Sequence, residues 1–261
     1  MNDTAKLVEL LKKKVKLVAM LAPSFPIMYE YPQIVGRLKR LGFSYVVEVA
    51  VGAKKTNEEV LTLLKNNPGS RFIASPCASF VRLVRKKHPQ LLPYLAFKAD
   101  SPMVATAKIV REKYPGFKPV FIGPCIVKKL ESSEDYSELD ILVVNYKELD
   151  SVLQQLGIVD DPEDVNSLFD MSEKSTRIYP MDAGLTDTSG IRNILNEDEI
   201  MVVSGWKNCE TALEEFEKNK KIRFLDILFC DGGCINGPGI SSNLNLEERK
   251  KKIIEFAQRQ S

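Results

Sequence analysis

Residues 224–239 read FLDILFCDGGCINGPG. Phe224 to Phe229 is an apolar run of strand length, interrupted only by Asp226. It passes directly into Cys230-Asp231-Gly232-Gly233-Cys234, two cysteines separated by three residues of which two are glycine. Glycine lets the backbone approach a bulky group and adopt positive φ. Backbone amides in such a turn can point at an anion. The continuation Ile235-Asn236-Gly237-Pro238-Gly239 is too rich in breakers to be an ordinary helix. A strand apolar on both faces suits a parallel sheet covered by helices on both sides, where functional loops follow the carboxyl ends of the strands.

The same pattern recurs along the chain. Strand-like runs are predicted at Val15–Leu21, Tyr45–Val51, Arg71–Ala74, Pro119–Ile122, Ile141–Asn145 and Ile200–Ser204, besides Phe224–Phe229. Helical patterns alternate with them. The first carries Leu7, Val8, Leu10 and Leu11 behind a cap at Asp3 or Thr4. The second has Pro32 at its first position and Gly42 as its stop. Thr56 and Glu59 have capping-box spacing ahead of Val60, Leu61 and Leu64. Further helices are predicted at Met103–Lys113, Lys147–Gln155, Cys209–Lys218 and Glu247–Gln258. Residues 158–178 are polar and weakly patterned and read as a loop. The alternation predicts an α/β fold of mainly parallel sheets flanked by helices.

Composition narrows the function. The chain has 261 residues, 44% apolar and 28% charged, with a net charge of +2. That balance supplies no field for nucleic acid or a membrane surface. No apolar run reaches the length of a spanning helix, and Met1-Asn2-Asp3-Thr4 lacks the order of a secretory signal. A cytoplasmic location is expected. Five cysteines without an export signal argue for metal or redox use rather than disulfides. A single histidine, His88, excludes a histidine-rich metal site or a histidine-based triad by supply.

Four loops begin at predicted strand ends: Ala22-Pro23-Ser24, Ser75-Pro76-Cys77, Gly123-Pro124-Cys125 and Cys230 onward. Three of them carry cysteine, and four cysteines can converge at one sheet edge. Cys77 and Cys125 each follow a proline and are expected to open a helix, where the thiolate is favoured. Four thiolates are what a 4Fe-4S cubane requires. Zinc is the rival reading, but structural zinc sites use paired short-spaced cysteines, and here there is one pair, spaced by three. Cys209, without a partner nearby, reads as a small buried apolar residue. His88 reads as a surface residue.

Three segments, Ser75–Phe80, Gly123–Glu131 and Asp226–Gly237, resemble in order the cysteine motifs of the iron-only (diiron) hydrogenase catalytic domain. Leu21–Ser24 and Ser101-Pro102 add to the likeness, which spans roughly residues 15 to 240. The resemblance implies two lobes with a metal cluster between them, about 15–125 and 126–240, followed by a C-terminal helix at 245–260. It implies a cubane held by Cys77, Cys125, Cys230 and Cys234, with Cys234 bridging to a diiron unit bearing carbon monoxide, cyanide and a dithiolate. Lys128 matches the lysine that hydrogen-bonds an iron-bound cyanide, a charge-assisted contact. A solvated pair with Lys129 is the plainer reading of it. Ala22, Pro23, Ser24, Pro76, Ser101, Pro102, Met103 and Leu228 would line the diiron pocket, and Glu131 matches the glutamate that ends the second motif, in a supporting role behind the residues that touch the cluster. Glu59 lies near the family's proton path, but its capping-box spacing explains it without chemistry.

The chain also departs from the family. Pro76 stands where active members carry a proton-relaying cysteine, and proline has no ionisable group and no N–H. Leu228 and Gly123 replace methionines, and Met103 replaces a glutamine. The resemblance therefore points to the sensory branch: hydrogen binding and heterolytic splitting with slow turnover. The alternative is a cubane-only protein for electron transfer or cluster handling. With four cysteines committed, only Cys209 remains for any accessory cluster. The expected partners are hydrogen and protons, a separate electron-transfer protein or fused ferredoxin-like domain, and the family's maturation enzymes. Helical patterns at both ends suggest a fragment of a longer chain.

Overall fold

The computed structural model describes residues 3–259. Among the described residues, seven strands form two parallel sheets. The first has the order β2-β1-β4-β5, built from β1 (Leu17–Leu21), β2 (Tyr45–Glu48), β4 (Lys118–Gly123) and β5 (Leu142–Asn145). The second has the order β3-β7-β6, from β3 (Phe72–Ile73), β6 (Ile200–Ser204) and β7 (Phe224–Leu228). Every pairing is parallel. The α/β expectation therefore holds, and each expected strand is present, Ile200–Ser204 with the same bounds and the others with one or both ends moved by one to three residues.

Side-chain alternation explains the layers. Leu17, Ala19 and Leu21 of β1 face a core shared with the helices α1 (Asp3–Lys12), α2 (Gln33–Leu41), α7 (Tyr146–Gln155) and α10 (Leu246–Gln258). Val18 and Met20 face the opposite core, with Val104, Ala107 and Val110 of α5 (Pro102–Lys113). Successive strand residues point to opposite faces, so one apolar strand fills two cores. The second sheet is covered on one side by α4 (Ala78–Lys87) and α9 (Trp206–Lys218), through Phe80, Val84, Leu213 and Phe216. On its other side lie α3 (Ala50–Asn66) and α8 (Gly184–Ser189).

Several local readings need correction. Residues 49–51 belong not to a strand but to the start of α3. Thr56 and Glu59 therefore lie inside that helix and do not cap it. Thr56 Oγ1 donates to the carbonyls of Gly52 and Asp100, and Glu59 accepts from the Asp100 amide at 2.9 Å. Pro32 is the cap of α2 rather than its first residue, while Gly42 ends that helix at φ 120° as expected. Asp3 already lies in the first turn of α1. The segment 158–178 contains only short 3-10 turns, and it is tied down by Arg40 to Asp164 at 2.7 Å and by a bridge from Val47 to Met171. His88 is half-buried at the end of α4, with Nε2 enclosed.

Sheet membership does not follow the expected division at residue 125. β3 comes from the first half of the chain but pairs only with β7, and β5 comes from the second half but pairs with β4. The chain passes from the first sheet to the second through α3 and returns through α5. Those two helices pack on each other at the seam, with Gly52 of α3 against Pro102 and Thr106 of α5.

Candidate metal centre

Two adjacent strand pairs aim their carboxyl ends at one another. In the first sheet β1 runs into Ala22-Pro23-Ser24, and its neighbour β4 into Pro124-Cys125. In the second, β3 runs into Ser75-Pro76-Cys77, and its neighbour β7 into Phe229-Cys230. Cys77, Cys125, Cys230 and Cys234 meet where these ends converge, all partly exposed as free thiols. Each is close enough to act electrostatically on others: Cys77, Cys125 and Cys230 all oppose ionisation of Cys234.

The local backbone explains why these residues present sulfur. Cys77 occupies the N-cap position of α4 with extended φ −91°, ψ 101°, and the amides of Phe80 and Phe229 lie near enough to favour its thiolate. Cys125 does not open a helix directly; the helical segment begins at Lys128, two residues beyond Ile126. Gly232 and Gly233 take φ of 73° and 96°, and a Cβ on Gly233 would lie 2.5 Å from the Pro180 carbonyl. Only glycine fits that approach.

Burial dominates the thiols. It pushes Cys77 up, with Cys125 adding to it, against the two amides and Lys128. It pushes Cys230 up to about 12, helped by Cys77 and Cys125, and Cys234 well above the usual thiol range. The helix terminus expected to favour the Cys77 thiolate is thus outweighed by desolvation. Without a bound cation these groups are thiols; a cationic iron core would draw them to thiolates. Among the described residues no three His, Cys, Asp or Glu side chains form a group able to hold a single metal ion. The residues present suit a cubane: soft sulfur donors, glycine clearance and a buried cation alongside.

That cation is Lys128. It is 8% exposed, so it is not a solvated partner of Lys129. Its ammonium donates to the Pro76 carbonyl at 3.0 Å and forms a buried ion pair with Glu131. Burial alone would depress it, but Glu131 and the thiols of Cys125 and Cys77 more than compensate, and it stays above its ordinary value. Lys129 reaches away to Asp3 and Glu148.

Beside Cys234 lies a cavity of about 70 Å³. Its walls include Ala22, Pro23, Ser24, Pro76, Pro102, Met103, Lys128 and Leu228, so these expected pocket residues do come together. Ser101 does not line it; it caps α5 and borders a separate cleft with Glu131 and Tyr136. Val49, Ala53, Phe121, Tyr179 and Pro180 also line the cavity and were not anticipated. Ser24 is fully buried and shares a 2.8 Å hydrogen bond with the Tyr146 hydroxyl, which donates in turn to the Ala22 carbonyl at 3.0 Å. No local motif marks Tyr146 or Tyr179. Cys209, also fully buried, donates to the Gly205 carbonyl within the α4–α9 core, and burial lifts it to about 12.

Comparison with known proteins agrees with this geometry. The chain is 23% identical to the probable cytosolic Fe-S cluster assembly factor oxy-4 of Caenorhabditis elegans, over 83% of this chain and 59% of that protein. It is 24% identical to iron hydrogenase 1 of Clostridium pasteurianum, over 84% and 46%. It is 25% identical to the cytosolic Fe-S cluster assembly factor NAR1 of Encephalitozoon cuniculi, over 65% and 52%. The chain spans about half the length of the curated relatives it matches. Its fold superposes on a variant of FeFe-hydrogenase HydA1 from Chlamydomonas reinhardtii with a TM-score of 0.74 at 16% identity, covering 99% of this chain and 89% of that one. The HydA(deltaEFG) FeFe-hydrogenase gives 0.71 at 17% identity, with the same coverage. The model of the iron-only hydrogenase large subunit, C-terminal domain, matches residues 15–238, and the chain belongs to that family.

Proposed function

We propose that this domain holds one 4Fe-4S cubane on Cys77, Cys125, Cys230 and Cys234 and serves cluster handling or electron transfer, without hydrogen turnover. One observation carries the reading: the polar groups expected to face a diiron unit are already satisfied within the chain. Lys128 is held by Glu131 and the Pro76 carbonyl, and Ser24 by Tyr146. What lies between them is a small, largely apolar cavity with room for a few waters. Pro76 offers neither a thiol nor an N–H there. Two of the relatives are named as cytosolic Fe-S cluster assembly factors, which supports the same assignment and a cytosolic location. No helix among the described residues is long and apolar enough to cross a membrane. An electron carrier or a cluster-receiving protein would be the partner.

A second reading retains the diiron unit bridged through Cys234, with slow hydrogen chemistry used for sensing. The gathering of Ala22, Pro23, Pro102, Met103 and Leu228 around one cavity beside Cys234 favours it. It requires Lys128 to release the Pro76 carbonyl, and it requires the maturation enzymes.

Anaerobic reconstitution should yield about four irons per chain. Cys125→Ala and Cys230→Ala should each abolish the cluster, and Cys209→Ser should leave iron content and electronic spectrum unchanged. Infrared spectra after co-expression with the maturation enzymes should lack bands from iron-bound carbon monoxide and cyanide. Such bands together with hydrogen evolution would replace the first reading by the second. Stoichiometric zinc in place of iron would overturn both.

A further inference from the structure

Tyr179 is 8% exposed, lines the cavity beside Cys234, and its hydroxyl is buried without a hydrogen-bond partner. The other polar groups on the cavity wall behave differently. Ser24 and Lys128 each have partners in the chain. Leaving a buried hydroxyl unpaired costs on the order of 1–3 kcal/mol, and a phenylalanine would fill the same space without that cost. No residue of the chain therefore takes up the hydrogen bond that this phenol can donate.

Its placement is built, not incidental. The segment Tyr179–Asp182 lies directly on the cysteine loop: Met181 bridges to Gly233, and the Asp182 amide donates to the Gly232 carbonyl at 3.2 Å. The Pro180 carbonyl occupies the space that a Cβ on Gly233 would need. Behind it, the buried Asp226 accepts from the Thr186 amide at 3.1 Å and from its hydroxyl at 2.7 Å, fixing the start of α8. The backbone that follows Tyr179 is thus held against the loop that supplies two of the four sulfurs, while its ring packs beside Ala53, Ala74 and Phe224 at the cavity wall.

We propose that Tyr179 is a positioning residue for the metal centre, donating its phenolic hydrogen bond to a sulfur of the bound cluster on the Cys234 side. Apart from Lys128, which is already paired with Glu131, chain residues supply neutral walls around this cavity, and a reduced cluster carries more negative charge on its sulfurs than an oxidised one. A donor aimed at sulfur stabilises the reduced form and raises the reduction potential. The inference rests on the cluster assignment above.

The test compares the reconstituted native chain with Tyr179→Phe. Iron content should be equal. In a redox titration followed by electron paramagnetic resonance, the variant should show about a tenfold lower ratio of reduced to oxidised cluster at a fixed potential, which is 59 mV for a one-electron couple. The apo variant should melt at the same temperature as the apo native chain or higher, because no protein hydrogen bond is lost. An unchanged potential with full cluster occupancy would overturn the role of Tyr179 alone. A melting point several degrees lower in the apo variant would overturn it too, by revealing a partner within the protein. Failure of the native chain to assemble any cluster would instead overturn the cluster assignment and this inference with it.

Discussion

Arg177 and Glu48 form the other deeply buried charge pair. Their side chains are 1% and 0% exposed, joined by bonds of 2.9 and 3.1 Å, with the guanidinium 4.2 Å from the ring centre of Phe256. The pair ties the end of β2 to α10. Burial raises the Glu48 carboxyl from its ordinary 4.5 to about 7, against the opposing pull of Arg177. An acid with a higher pKa folded than unfolded binds its proton more tightly in the native state. Its contribution to stability is thus full below about 4.5 and lost as the pH rises to about 7. Arg177→Met strands the carboxylate and should destabilise by on the order of 3–5 kcal/mol at pH 8. At pH 5 the loss should be clearly smaller, because Glu48 can take up a proton. Urea denaturation of both proteins at the two pH values checks this, and equal losses would contradict it.

The two helices at the seam, α3 and α5, carry the burden of joining the sheets. A Cβ at Gly52 would sit 2.2 Å from Thr106 Oγ1 and 2.3 Å from the Pro102 carbonyl, which is backbone and cannot swing aside. Gly52→Ala must therefore push α5 away from α3. Overpacking of this kind costs about 1–3 kcal/mol, beyond the small gain from a better helix former. Because Pro102 and Met103 open α5 and line the cavity, the displacement should also reach the metal centre. The expected result is a lower urea midpoint together with a perturbed cluster spectrum. A midpoint equal to that of the native chain would show that the helices separate freely.

Across the molecule, a cluster held by the four cysteines would act as a staple. Cys125 extends from the first sheet, whereas Cys77, Cys230 and Cys234 extend from the second. A cluster bound to all four links the sheets in the native state only, so its binding free energy adds to folding stability. In a domain of this size each kcal/mol is worth about 2–4 °C. Stripping the cluster anaerobically should lower the melting temperature by about 5 °C or more, and Cys209→Ser should show the same drop as the native chain. Coincident melting curves for loaded and stripped protein would mean that the cluster does not bridge the sheets.

What could be read along the chain is what short stretches of it dictate. Phe224–Leu228 is a strand because leucine, isoleucine and phenylalanine side chains fill space on both faces, whereas Ile200–Ser204 is an edge strand rich in β-branched residues that stay half-buried or exposed. Gly42 ends α2 because positive φ there suits glycine. The prolines and glycines beside Cys77, Cys125, Cys230 and Cys234 mark turns at strand ends, and that was enough to single out the four sulfurs. Other features depend on partners remote in sequence. β3 has two residues and finds its place only against β7, about 150 positions later, so its sheet could not be read locally. Thr56 and Glu59 have the spacing of a cap, yet the packing of α3 on α5 extends the helix past them. Lys128 looks like half of a solvated pair until Glu131 and the Pro76 carbonyl enclose it. Tyr179 follows an unpatterned segment and gains its meaning from the loop it lies on. Turn chemistry and side-chain alternation act over a few residues. Strand order, burial of charge and the company of an unpaired hydroxyl are set by contacts that exist only once the chain has closed on itself.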